Sequence, residues 1–153
     1  MELDVVRLKA LLDRWRERGD PESDQDYRHL TLASIEESLL NEPPSVLLEG
    51  PSARIRTERR RVGAADLEPL YLYESYRFWS GNDSLVARSY SHSPETVCFL
   101  CRFAGPEIAL LETKDFPSEL FREAVSYLRA LGKVRFEHER PGGREPIPAH
   151  VVP

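Results

Sequence analysis

Between residues 70 and 111 one pattern recurs: a short run rich in aromatic or branched apolar residues, then a turn, then another such run. The runs cover 70–79, 85–90, 96–103 and 108–111. Ser80-Gly81-Asn82-Asp83-Ser84, His92-Ser93-Pro94-Glu95 and Ala104-Gly105-Pro106 separate them. Aromatic and branched side chains favour extended backbone, and Gly, Asn, Asp, Ser and Pro favour reversal. Connections this short join antiparallel neighbours, so the pattern predicts a meander. Two shorter segments, 46–48 and 53–57, extend it on the N-terminal side.

Helical periodicity lies on either side of the meander. Val5, Leu8, Leu12 and Trp15, with Leu11, predict a helix over 2–18, stopped by Gly19 and Pro21. Leu32, Ile35, Leu39 and Leu40 predict a second over about 30–41, which Pro43-Pro44 forbids from continuing. Leu120, Phe121, Ala124, Val125, Leu128 and Leu131 predict a third over about 117–131, with Pro117 in its first turn and Gly132 after its end. A last short strand is expected at 134–136. Residues 140–153, rich in Pro and Gly, read as a flexible tail beyond a domain of 1–139. The expected fold class is α+β: an N-terminal helix pair, a mostly antiparallel sheet of four to six strands, and one C-terminal helix packed on it.

The length of 153 residues suits one domain. The chain lacks a secretion signal at its start and an apolar run of about 20 residues, so a cytoplasmic protein that avoids membranes is expected. Its net charge of −5 disfavours nucleic acid as a partner for the surface as a whole. Basic charge is local: residues 51–63 hold five Arg and one Glu.

No motif identifies a family or a complete catalytic centre. Cys98 and Cys101 form a CxxC inside a predicted strand. Residues three apart on a regular strand point to opposite faces, and a second ligand pair is missing, so no metal and no cofactor are expected. The histidines, His29, His92, His138 and His150, stand in no ligand or catalytic spacing.

Two features carry a functional expectation. On the strand over 70–79 one face bears Leu70, Leu72, Glu74, Tyr76 and Phe78, which places a carboxylate among apolar residues. A buried carboxylate needs a partner, and Arg88 or Arg102 on neighbouring strands could supply it. The other face bears Tyr71, Tyr73, Arg77 and Trp79, residue types that anchor protein interfaces. If the Arg-rich strand pairs alongside, Arg54 and Arg56 join them. Strict alternation from a core-facing Ile55 would also bury Arg59 and Arg61, so a break near Thr57 is expected.

The leading expectation is a non-enzymatic module that binds one protein partner through Arg54, Arg56, Tyr71, Tyr73, Arg77 and Trp79, neutralising or adapting it as immunity and adaptor proteins do. The alternatives are a nucleic-acid binder using the 54–61 block and its aromatic neighbours, and a small enzyme built around Glu74 with Arg88 or Arg102.

Overall fold

The computed structural model describes residues 25–63 and 72–152. The helix expected over 2–18 and Tyr71 lie outside these residues.

The fold is α+β, with an eight-stranded mixed sheet and, among the described residues, two α-helices. Helix α1 (Gln25–Leu40) leads into β1 (Ser45–Leu47). The meander follows as β2 (Arg56–Val62), β3 (Tyr73–Ser80), β4 (Asp83–Tyr90), β5 (Thr96–Ala104) and β6 (Glu107–Ala109). Helix α2 (Glu119–Ala130) then crosses to β7 (Arg135–Arg140), and β8 (Gly143–Pro146) closes the order β1-β2-β3-β4-β5-β7-β8, with β6 also on β5. All pairings are antiparallel except β5 with β7, which are parallel and therefore need the crossover that α2 provides.

Among the described residues, each face of the sheet is served by one helix. Helix α2 lays Leu120, Phe121, Ala124, Val125 and Leu128 on Tyr76, Phe78, Leu85, Ala87, Val97 and Phe99. Its N-cap is Ser118, whose hydroxyl accepts from the Phe121 amide at 3.2 Å; Pro117 therefore precedes the cap and is not in the first turn. Helix α1 brings Leu32 and Ile35, with Leu39, onto Val86, Cys98, Leu100, Cys101 and Leu110 on the opposite face. Leu40 falls off that stripe and is exposed.

Three expectations are corrected. The Arg-rich strand starts at Arg56, after Ile55, and runs through Val62 in unbroken register with β3. No break is required, because Arg59 meets a carboxylate on the face it enters. The segment 140–153 is not a loose tail: Gly143, at φ 119°, turns the chain into the β7–β8 hairpin. Ile147 beyond it is 6% exposed within the α2-side core. Finally, the register of β4 on β5 shifts between Val86 and Ala87, and Leu100 is the extra residue. That bulge turns Cys98 and Cys101 to the same face, under α1.

Candidate functional site

The register of the sheet lines up four strands on the α1 side. Arg56 lies beside Trp79, Trp79 beside Ser84, and Ser84 beside Phe103. In the next row Glu58 lies beside Arg77 and Arg77 beside Val86. Cations and rings therefore alternate in space. The Arg56 guanidinium lies 4.5 Å from the Trp79 ring centre, and Arg77 lies 5.3 Å from the same ring and 5.0 Å from that of Phe103. Each contact is of the cation–π type, worth about 0.5–1 kcal/mol at an exposed site.

Arg77 also points a nitrogen at the Ser84 hydroxyl, 3.4 Å away, and its Nε is buried without a hydrogen-bond partner among the described residues. Among those residues neither Arg56 nor Arg77 enters an ion pair, whereas Arg60 on the same face is taken up by Glu58 at 3.0 Å. Among the described residues the row thus holds two guanidiniums against rings and not against carboxylates. A stacked guanidinium keeps its edge, apart from the buried Arg77 Nε, free to donate to an acceptor.

The other expected interface residues are not part of this row. Arg54 reaches the α2 side, where Glu119 and Glu123 each lie 3.4 Å from it. Tyr73 is buried: its hydroxyl donates to Glu42 at 3.0 Å and its ring lies under Arg88 at 4.4 Å. Phe103, which completes the row, is invisible to sequence reasoning that lacks the strand register, since it sits on β5, 24 positions beyond Trp79.

Glu74 does intrude on the α2 side, but neither Arg88 nor Arg102 pairs with it. Arg59, which lies opposite Tyr76 and diagonal to Glu74 across β2–β3, donates from Nε and Nη2 to the two carboxylate oxygens, both at 3.0 Å. The Tyr76 hydroxyl donates to the same carboxylate. Burial alone would raise the Glu74 pKa; the Arg59 and Tyr76 bonds outweigh it, and the carboxyl titrates below its ordinary range. Arg88 lies on the opposite face with Glu42 at 2.7 Å, and Arg102 lies near Asp115 at 3.4 Å. A carboxylate held ionised by a forked Arg is suited to fixing structure and ill suited to taking up a proton near neutral pH.

The cysteines are both free and buried. Burial raises both thiols, Cys101 to about 12, so neither is a thiolate near neutral pH. Among the described residues, no group of three or more His, Cys, Asp and Glu side chains could hold a metal ion, and no helix is long and apolar enough to cross a membrane. Comparison of the chain with protein-family models, with curated proteins and with solved structures finds no match.

Proposed function

We propose that this chain is a non-enzymatic binding module that captures one protein partner through Arg56, Arg77, Trp79 and Phe103, acting on it as an immunity or adaptor protein does. The observation that supports this reading is the cation–ring row, in which two arginines without ion pairs among the described residues stack on aromatic rings in the free chain. Trp and Arg dominate the energetics of protein interfaces, and a row assembled in advance loses little rotamer freedom on binding. The partner it fits presents Asp or Glu side chains, to which the guanidinium forks donate edge-on while the ring faces cover apolar atoms.

The arrangement at Glu74 weakens the enzyme alternative, since its carboxylate is already committed to Arg59 and Tyr76. The experiment is affinity capture with the wild-type chain beside Arg77→Ala and Trp79→Ala, followed by titration of whatever protein is retained. Each variant is expected to fold and to weaken capture by about 1–4 kcal/mol.

A further inference from the structure

We infer that a second site, independent of the cation–ring row, lies in the cleft between α1 and the β7–β8 hairpin, and that it takes a compact organic molecule bearing one phosphate or carboxylate group. The cleft encloses about 380 Å³. A neighbouring hollow of about 600 Å³ along α1 shares Ser34, Ser38, Arg88 and Tyr90 with it. Recesses of roughly 300–1,000 Å³ accommodate small ligands.

The chemistry of the walls selects the ligand class. Leu30, Ile35 and Leu100 supply an apolar side. Arg88, Arg140 and Arg144 line the same space, opposed there by the single carboxylate of Glu139 and, from outside the cleft, by Glu42 on Arg88. Among the described residues, three arginines within the 380 Å³ cleft itself face one lining carboxylate, Glu139, while Glu42 holds Arg88 from outside and Glu37 lines only the neighbouring hollow.

The guanidinium donors are not used up by these pairings. Arg88 is 4% exposed; it donates to the Ser38 hydroxyl at 2.7 Å and to Glu42 at 2.7 Å, yet its Nε is buried without a partner among the described residues. Arg144 spends its Nε on Glu139 at 2.8 Å and stacks 5.0 Å from the Tyr90 ring centre, which positions its outer nitrogens. Arg140 forms no ion pair among the described residues, though it also borders the α2-side hollow lined by Glu112, His138 and Glu145 and so lies between the two faces. The Ser34 hydroxyl and the Gly142-Gly143 turn complete a polar rim around the apolar wall. Forked donors on one side of a small apolar recess recognise an anionic oxygen group attached to an apolar or planar body.

Phenyl phosphate, benzoate, inorganic phosphate and uncharged phenol serve as probes, titrated into the full chain by calorimetry with a parallel melting curve. Phenyl phosphate or benzoate should bind saturably and raise the melting temperature. Inorganic phosphate should bind at least about tenfold more weakly, and phenol should give no saturation. The double variant Arg140→Ala/Arg144→Ala, on the solvent side of the hairpin, should keep the fold and lose at least about tenfold in affinity. Trp79→Ala should bind the probes as wild type does, so the two sites fail separately. Absence of saturable binding by both aromatic anions would overturn the inference, as would equal affinity in the double variant. Which anion binds more tightly distinguishes a phosphate from a carboxylate ligand.

Discussion

Arg56 lies 4.5 Å above the Trp79 ring because the two residues face each other across the β2–β3 ladder. The contact is therefore fixed by strand register, and it survives only while β2 stays in register. Arg77, 5.3 Å from the same ring, lies 5.0 Å from that of Phe103 and links the two. Trp79 itself is only partly buried, which gives the row its first consequence. Trp79→Ala should cost about 1–2 kcal/mol of stability, the loss of two cation–π contacts and partial burial. Phe78→Ala, one position earlier and fully buried against α2, should cost about 3–5 kcal/mol. Chemical denaturation separates the two. Equal costs would mean that Trp79 is a core residue.

The ion pair beneath α2 gives a pH signature. The Glu74 carboxyl titrates lower in the folded chain than its unfolded value of about 4.3. Between those two values the unfolded chain holds a proton that the folded chain does not. The stabilisation is therefore complete above about pH 4.3 and is lost as pH falls through the folded value. Arg59→Ala should cost about 2–3 kcal/mol near neutral pH, since both side chains are only about one-fifth exposed, and should flatten this acid limb. Denaturation midpoints collected from pH 7 down to pH 3 in wild type and variant measure it.

His138 adds a second limb at milder acidity. It is buried on the α2 side, its ring 5.4 Å from that of Phe116. Burial, with Arg140 nearby, lowers its pKa from the ordinary value of 6.5. Below about pH 6.5 the unfolded chain takes up a proton there and the folded chain resists it, so stability declines as pH falls toward the folded value. His138→Gln should remove the slope just below pH 6.5 while leaving the Glu74 limb in place. A slope unchanged by the substitution would assign it to another group.

The C-terminal segment supports the domain. Ile147 is buried in the α2-side core, with Val151 and Val152 packed against it. Its amide donates to the Phe136 carbonyl at 2.9 Å. Ile147→Ala should cost about 2–5 kcal/mol, and deletion of 143–153 should lower the melting temperature by many degrees. A truncated chain that melts with the wild type would return these residues to the status of a loose tail.

The meander was legible because period-two patterning and turn residues coincide from β3 to β6, and local propensity there agrees with the tertiary fold. Helix α2 was legible for the same reason, from its apolar stripe between Pro117 and Gly132. What escaped was decided by partners distant in sequence. Arg59 reads as a residue that should end a strand until its register with Tyr76 brings Glu74 into reach. The β7–β8 hairpin shows little apolar alternation, because β8 is an exposed edge, and Phe136 and Ile147 are the apolar residues that attach it to the core. The bulge at Leu100 leaves no mark in composition, yet it decides which face Cys101 joins. Of the expected interface, Arg56, Arg77 and Trp79 come together as their alternation implied. Tyr73 is lost to the core because the C-terminal end of α1 and Glu42 cover that end of β3, a cover that strand alternation cannot reveal.

The central claim concerns the cation–ring row, and charge reversal within it tests that claim most directly. Arg56→Glu places an acid over Trp79, whereas Arg61→Glu makes the same change in net charge on the other face of the same strand, at another exposed site. The measurement is the dissociation constant of a captured protein partner for wild type and both variants, after melting curves confirm that all three fold. The account predicts that Arg56→Glu weakens binding by tenfold or more, about 1.4 kcal/mol or above, while Arg61→Glu stays close to wild type. Equal affinity in wild type and Arg56→Glu, or an equal loss in both variants, would contradict it.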